Sequence, residues 1–210
     1  MAYDDIDLND RRFAPSVMRN REPILDFLKT VLIEPGSVLE VGSGTGEHGA
    51  WFAPRLPHLT WQPTEFDPDM HKSITAWAAD AGAENIVPPQ TLDVLDKTWL
   101  PAEGLDDLVA IFSSCVVHIT PWAVTEALFR GAGKYLPTGG SLILYGPFII
   151  DGEPTAPSNA DFDAWLRSQD PDWGIRDLND VTELGEDCGL TRETVAQMPA
   201  NNLSLVFRRI

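Results

Sequence analysis

Cysteine is scarce in this sequence, and its two examples, Cys115 and Cys188, lie far apart. We therefore expect neither a disulfide framework nor a cysteine metal site, and this usage is typical of a protein kept in a reducing cytoplasm, the location we predict. His48, His58 and His71 share no metal-ligand spacing. The sequence thus predicts a protein without a metal cofactor.

Positive charge is also scarce, because 15 Lys and Arg residues stand against 32 Asp and Glu residues and give a net charge of −17 at pH 7. Such a chain suits a phosphate backbone poorly, so we expect no nucleic-acid partner. It has neither an apolar run long enough for a membrane span nor an apolar N-terminal core typical of a signal peptide. No serine lies in a G-x-S-x-G elbow, which argues against a hydrolase. We expect a small-molecule substrate and a monomer or homodimer.

The glycine-rich segment 40–46, Glu-Val-Gly-Ser-Gly-Thr-Gly, organises the rest of the chain. It ends an aliphatic run typical of a buried strand and precedes a helix predicted to begin at Glu47. Alternating glycines allow a sharp turn and leave bare main chain for a ligand, beside the unpaired N–H groups of the helix. The pattern differs from the G-x-G-x-x-G of dinucleotide-binding folds. Glu40, two residues before the first glycine, suits the cationic amino-acid end of S-adenosylmethionine better than a pyrophosphate.

Apolar periodicity and glycine or proline breaks divide the chain into alternating helices and strands, which predicts an α/β domain with a mainly parallel sheet. We predict helices at 15–32, 47–56, 69–80, 122–135, 161–169 and 177–188. We predict strands at 37–41, 59–64, 85–87, 108–112, 141–145, 193–198 and 203–208, with 151–159 as a loop. The last two strands form a hairpin. Residues 1–35 are expected to be an arm and helix that cap the cofactor cleft, and residues 36–210 to be a single domain.

Acidic residues near the strand ends are candidates for binding a nucleoside. Doubly wound folds bind ribose hydroxyls through an acid roughly 20 residues after the glycines. Glu65 is our choice, and Asp67, which resembles a helix N-cap, is the second. Asp93, after the third strand, could accept from an adenine amino group or could be a surface acid. Three residues before the first strand could face the ligand's carboxylate or remain solvated: Arg12, Arg19 and Asn20.

Two residues after later strands are candidates for catalysis. His118 follows the fourth strand and could act as a general base in its neutral form, or it could bond to a carbonyl and shape the loop. Tyr145 could orient a substrate or pack in the core. A further set could line an acceptor pocket, although tryptophan is common in cores and asparagine in turns: Trp122, Trp165, Trp173, Asn159, Asn201 and Asn202.

With these residues in place, the chain resembles class I S-adenosylmethionine-dependent methyltransferases from Ser37 to the C-terminal hairpin. It is more closely similar to a family of small methyltransferase-like proteins catalogued as a domain of unknown function. The shared segments, which cover most of the chain, are RNREPIL (19–25), LEVGSGTGEH (39–48), WQPTEFDP (61–68), HITPW (118–122), LYGPF (144–148), SNADFDAWL (158–166), DPDWGIRDL (170–178) and MPANNLSLVF (198–207).

The resemblance implies a Rossmann-like, doubly wound sheet of seven strands in the order 3-2-1-4-5-7-6, with strand seven antiparallel and helices on both faces. It implies that Glu65 binds the ribose, that Asp93 and Val94 bind the adenine, and that the backbone near Ser114 lies by the sulfur. The methionine portion would be held by Glu40, Gly42, Ser43, Gly44 and Gly46. One departure concerns Cys115, which occupies a place where the family pattern has asparagine.

Three functions follow from these observations. The first is an S-adenosylmethionine-dependent methyltransferase that acts on a small molecule by in-line displacement and releases S-adenosylhomocysteine. The second is a non-catalytic binder of the cofactor or its product, which the departure at Cys115 keeps open. The third is an NAD-dependent oxidoreductase, against which the glycine spacing and the terminal hairpin both argue.

Overall fold

The computed structural model describes residues 6–98, 105 and 107–210. Its strands are β1 (Gly36–Val41), β2 (Leu59–Glu65), β3 (Gln90–Thr91), β4 (Leu108–Ser114), β5 (Ser141–Gly146), β6 (Ile149–Ile150), β7 (Glu153–Pro154), β8 (Leu190–Met198) and β9 (Asn202–Arg209). Its α-helices are α1 (Val17–Val31), α2 (Glu47–Phe52), α3 (His71–Asp80), α4 (Trp122–Tyr135), α5 (Pro157–Gln169) and α6 (Leu178–Asp187). No helix among these residues is long and apolar enough to cross a membrane.

The main sheet has seven strands in the order β3-β2-β1-β4-β5-β9-β8. β1 runs parallel to β2 and β4, and β2 runs parallel to β3. β9 runs antiparallel to both β5 and β8. Counted within this sheet alone, the order is 3-2-1-4-5-7-6 with the seventh strand antiparallel. The predicted Rossmann-like α/β fold class is therefore confirmed.

The described residues fall into two compact units, of which the first comprises residues 6–93, 105 and 107–112. Its core is aromatic: the rings of Phe52, Trp61 and Phe112 are fully buried. Their centroids are 5.7 Å apart for Phe52 and Trp61, 5.8 Å for Phe52 and Phe112, and 5.9 Å for Trp61 and Phe112. These rings join β1's two neighbours, β2 and β4, to the helix that follows the glycine segment.

The second unit comprises residues 94–98 and 113–210. Phe129 of α4 meets Phe207 of β9 edge to face, with centroids 5.0 Å apart, and both rings are buried. A small hairpin of β6 and β7 turns at Asp151 and Gly152, whose φ angles are 53° and 79°. The Gly152 N–H donates to Asp177 Oδ2 at 2.8 Å, which ties the hairpin to the N-cap of α6.

The predicted strand at 85–87 is wrong in its position. Residues 85–87 make only an isolated bridge, Trp61 to Ile86, and the named strand β3 lies at Gln90–Thr91. Pro88 and Pro89 stand between the two pairings. Because proline has no N–H to donate, it interrupts the ladder on β2 and moves the regular pairing beyond it.

The predicted loop at 151–159 is also partly wrong. It contains β7 and the first turn of α5, which begins at Pro157 rather than at residue 161. Proline suits the first helical turn, where its missing N–H has no partner to lose. The predicted helix at 47–56 ends as α2 at Phe52 and continues only as a 3-10 turn, Ala53–Arg55, which contains Pro54.

Candidate cofactor and acceptor sites

The glycine segment leaves β1 in a conformation that favours glycine. Gly42, Gly44 and Gly46 have φ angles of 74°, 54° and 91°. A Cβ added at Gly46 would lie 2.5 Å from the Cα of Ile74, so Gly46 lets the segment pack directly against α3. A Cβ at Gly44 would meet nothing within 4 Å. Gly44 thus presents bare main chain to open space, as a ligand-binding loop requires.

Glu40 lies beneath this segment and is only 2% exposed. Its Oε2 accepts hydrogen bonds from Ser43 Oγ and from Trp61 Nε1, each at 2.9 Å. Burial raises its pKa from 4.5 to about 7; the bonds from Trp61 and Ser43 oppose this rise, and the charge of Glu65 adds to it. Glu40 therefore couples the aromatic core to the glycine segment, and a nearby cation would favour its charged form.

Glu65, at the end of β2, lies against the same segment. Its Oε2 accepts from the Gly44 N–H at 2.7 Å, and its Oε1 accepts from the Phe66 N–H at 2.8 Å. The same Oε1 also accepts from the Asp67 N–H at 3.4 Å. A carboxylate offers about four acceptor positions, so this one retains a position on Oε2 for one hydroxyl group. Asp67 instead caps the 3-10 turn Pro68–Met70, since its Oδ1 accepts from the Asp69 N–H at 3.0 Å.

The segment before α1 is held to the helix that follows the glycines. Glu47 is buried, and its Oε2 accepts from the Ala14 N–H at 2.6 Å and from Thr45 Oγ1 at 3.1 Å. Its Oε1 is buried without a partner among the described residues. The Arg12 N–H donates to Ser73 Oγ at 2.8 Å. The chain around residues 12–14 is therefore anchored beside the glycine segment.

The remaining first-unit candidates have different surroundings. Asn20 Oδ1 lies 2.9 Å from Nε2 of His48, whose pKa burial lowers to about 4. Arg19 is exposed on α1. Asp93 is half-buried and follows Leu92, whose N–H donates to the carbonyl oxygen of Glu65 at 3.1 Å. The structure thus brings Glu40, the glycine segment and Glu65 together and leaves Arg19 in solvent.

In the second unit, Cys115 occupies a left-handed backbone conformation, with a φ of 62°. Asparagine adopts this region several-fold more readily than most residues, which gives a physical reason for asparagine in the family pattern. The Cys115 N–H donates to the carbonyl oxygen of Tyr145 at 2.8 Å. Burial raises the pKa of the thiol, while a hydrogen bond from its half-buried neighbour Ser114 lowers it. The thiol is therefore held in its neutral form.

His118 is 0% exposed, and neither ring nitrogen has a hydrogen-bond partner among the described residues. Its pKa falls from 6.5 to about 3, first because burial disfavours the imidazolium and second because of the charge of Arg176. A backbone interaction with Gly174 and the charge of Asp163 oppose this fall. The imidazole ring meets Phe148 edge to face, with centroids 5.0 Å apart. The carbonyl oxygen of His118 accepts from the Gly174 N–H at 3.0 Å, so a hydrogen bond fixes the backbone of the turn.

The other acceptor-site candidates are mostly engaged by the protein. Asn159 is buried, and its Nδ2 donates to Thr155 Oγ1 at 2.7 Å and to the carbonyl oxygen of Asn201 at 3.0 Å. Asn202 Nδ2 donates to the carbonyl oxygen of Pro199 at 3.0 Å. These amides shape the turn before β9 and the start of α5.

Aromatic candidates in the second unit differ in exposure. Tyr145 is buried in β5, and Val94 is buried as well. Trp122 is half-buried, with Arg176 5.6 Å from its ring centroid. Trp173 is half-buried, whereas Trp165 is 52% exposed and stacks on Phe162. Trp165 is therefore not a core residue. In the described ranges, no group of three or more His, Cys, Asp or Glu residues could hold a metal ion.

The family model described as "Protein of unknown function (DUF938)" matches residues 11–209. This chain belongs to the DUF938 family. The match spans all but the two ends of the sequence, and it confirms the resemblance to an unknown-function family of methyltransferase-like proteins.

Solved structures of methyltransferases share the fold of this DUF938 protein. An O-methyltransferase family 2 protein from Planctomyces limnophilus, in complex with apigenin, has a TM-score of 0.78 and 17% identity over 93% of this chain and 60% of its own. An O-methyltransferase family protein from Burkholderia thailandensis has a TM-score of 0.75 and 18% identity over 90% of this chain and 55% of its own. The S-adenosylmethionine-dependent methyltransferase SibL, in its apo form, has a TM-score of 0.75 and 17% identity over 92% and 55%. The chain thus spans little more than half the length of these structures, and the likeness shows the fold.

Three residues take their role in the candidate site from tertiary contacts that their positions in the sequence do not indicate. The sequence predicts Glu47 only as the first residue of a helix, whereas its side chain anchors Ala14. It predicts Gly146 only as the end of a strand, whereas a Cβ there would lie 2.4 Å from His118 Nε2. Arg176 lies in the segment 170–178 that the chain shares with the family, and this shared segment is the sequence signal that indicates it.

Proposed function

We propose that this protein is an S-adenosylmethionine-dependent methyltransferase that transfers a methyl group to a small-molecule acceptor in the cytoplasm. The observation that carries the proposal is the arrangement of the glycine segment between two carboxylates. Glu40 lies buried beneath it, and Glu65 bonds to the Gly44 N–H. Solved structures with this fold include O-methyltransferase family proteins, and this likeness supports the same activity.

The residues present fit this cofactor. Gly44 has open space where a side chain would stand, so main chain can approach a ligand. Glu65 retains an acceptor position on Oε2 for a ribose hydroxyl. Glu40 is a buried acid whose charged form a cationic ammonium or sulfonium would stabilise. We assign further cofactor contacts to Gly42, Ser43, Gly46, Asp93 and Asn20, with residues 12–14 and α1 as the cap. Arg19, Val94 and Ser114 stay predictions from the sequence.

When bound, S-adenosylmethionine supplies a methyl group that its sulfonium has already activated for in-line displacement. The protein's own part is to align the acceptor, exclude water and remove a proton from the acceptor where one must be lost. His118 is our candidate for that base, because both ring nitrogens lack a protein partner among the described residues. To act as the base near pH 7, its pKa must rise from about 3 when the ligands bind. Tyr145, Trp122, Asn159, Asn201 and Asn202 are proposed to shape the acceptor site.

A calorimetric titration with S-adenosylmethionine, S-adenosylhomocysteine and NAD tests the cofactor. We expect the first two to bind and NAD not to bind. In Glu65→Ala, the loss of hydrogen bonds to a charged group should weaken binding by about 1.5–3 kcal/mol, or roughly 10- to 100-fold. Asp67→Ala is the matched control, because it removes a neighbouring carboxylate that caps a turn and should leave binding unchanged. Binding of NAD alone would replace this proposal with the oxidoreductase.

A non-catalytic binder is the second candidate, and Cys115 is the observation that favours it. It stands in a left-handed conformation beside the proposed acceptor residues, where the family pattern has asparagine. Tight binding of both S-adenosyl ligands without turnover on a broad panel of hydroxyl, amine and thiol acceptors would favour this candidate. Turnover in the wild type would exclude it.

A further inference from the structure

Arg176 places its guanidinium on the backbone of the turn that carries His118. Its Nε donates to the carbonyl oxygen of Val117 at 2.8 Å, and its Nη2 donates to the carbonyl oxygen of Thr120 at 2.6 Å. The same Nη2 also donates to the carbonyl oxygen of Asp172 at 3.0 Å. One side chain therefore holds carbonyls on both sides of the histidine.

The backbone near Arg176 holds the same turn from a second direction. The Gly174 N–H donates to the carbonyl oxygen of His118 at 3.0 Å. The Ile175 N–H donates to Asp163 Oδ1 at 2.7 Å, which fixes the segment between Asp172 and Arg176 on α5. Three successive contacts, to residues 117, 118 and 120, thus come from one short segment.

The His118 ring depends on this support because it receives no hydrogen bond of its own from the described residues. Its position is set by the backbone of the turn and by the walls around it. A Cβ at Gly146 would lie 2.4 Å from His118 Nε2, and Phe148 meets the ring edge to face at 5.0 Å. In so close a fit, a small shift of the turn would move the ring into contact with Gly146.

We propose that Arg176 is the positioning residue for His118: it clamps the carbonyls of Val117 and Thr120 and so holds the buried imidazole beside Gly146. The planar fork of arginine reaches several acceptors at once, which a lysine ammonium on a flexible stem does not reproduce. The positive charge of Arg176 also disfavours the imidazolium, with Asp163 acting in the opposite sense. The chemical role of His118 rests on the function proposed above, but its placement can be measured without turnover.

Amide hydrogen exchange in the full-length protein tests the placement. We compare wild type, Arg176→Lys and Arg176→Ala with the control Arg130→Lys, which alters an exposed arginine paired at 3.8 Å with Glu126. Both Arg176 variants should exchange the Gly174 amide at least tenfold faster near pH 7 and should shift the ring signals of His118 in NMR spectra. The control should change neither. If Arg176→Ala does not fold, Arg176→Lys alone decides, because it keeps the charge. Unchanged exchange and unchanged ring signals would overturn the proposal.

Steady-state kinetics separate this proposal from the proposed function. In an active wild type, Arg176→Lys should lower kcat at least tenfold while the Kd for S-adenosylmethionine and the KM for it stay within twofold. An unchanged kcat would overturn the positioning role and leave the methyltransferase intact. A wild type that turns over no acceptor would refute the proposed function, whereas the exchange and ring signals would still decide whether Arg176 places His118.

Discussion

Glu40 should make the folded protein less stable as the pH rises. Its pKa is 4.5 in its ordinary state and about 7 in the fold, so the folded protein binds the proton more tightly than the unfolded chain. Its contribution is fully present below pH 4.5 and is lost as the pH rises through about 7. The full shift corresponds to about 3 kcal/mol, of which about 2 kcal/mol falls between about pH 5.5 and about pH 8.

The variant Glu40→Gln isolates this effect, because glutamine keeps an acceptor oxygen for Trp61 and Ser43 and does not titrate. His48 and His118, with lowered pKa values of about 4 and about 3, add stability as the pH rises towards 6.5. Their opposing slope is common to both proteins and cancels in the difference between them. We therefore expect the wild type to lose about 2 kcal/mol relative to Glu40→Gln between the two pH values.

Urea unfolding at four pH values measures the difference in the free energy of unfolding directly. In thermal unfolding, the same difference should change the relative melting temperature by about 4–8 °C for a protein of this size. Glu22→Gln, which alters an exposed acid on α1, is the control and should follow the wild type. Parallel stability curves for the wild type and Glu40→Gln would refute the reasoning. If a cationic cofactor binds beside Glu40, adding it should flatten the slope of the wild type.

Three further predictions concern the backbone and the N-terminal segment. Gly46→Ala should lose about 3 kcal/mol of stability in urea unfolding, because of both its φ and its contact with Ile74. Gly44→Ala should lose only about 1–2 kcal/mol of stability, but it should abolish cofactor binding measured by calorimetry. Equal losses of stability in Gly46→Ala and Gly44→Ala would contradict this prediction. Cys115→Asn should gain up to about 1 kcal/mol in the same unfolding assay, since asparagine suits its φ, and a loss would count against this. Glu47→Gln should speed exchange of the Ala14 amide by weakening its charged acceptor, and unchanged protection would show that other contacts hold the segment.

Local signals were sufficient for most of the fold. The apolar run at 108–112 and the proline at 121 predict β4 and the start of α4 closely, because each signal lies in residues that are neighbours in sequence. The turn at Asp151-Gly152 differs from the predicted loop: the surrounding glycine and proline content indicates a loop, but Asp-Gly is a favoured hairpin pair. Pro88 and Pro89 are likewise a local signal, because they place the regular strand after them and not at 85–87.

The candidate site was less accessible from sequence, because its properties arise from contacts distant in the chain. The place of Glu65 followed from topology, since the end of β2 lies beside the glycine segment in this fold. The burial of Glu40 depends on the indole of Trp61, which no local pattern reveals. The isolation of the His118 ring likewise depends on Gly146 and Phe148. The sequence pattern therefore identifies Glu40 and His118 as candidates, whereas their burial and their shifted pKa values follow from packing.

Trp61 provides the protein with a native spectroscopic probe. Its indole N–H points at a carboxylate oxygen of Glu40 at 2.9 Å, while its ring lies in the fully buried aromatic core. The resonance of that one hydrogen responds to the charge of its acceptor, and its burial protects it from exchange with solvent. A single NMR signal from the unmodified chain can therefore report the protonation of Glu40 and any change at the glycine segment, without a label or a substitution.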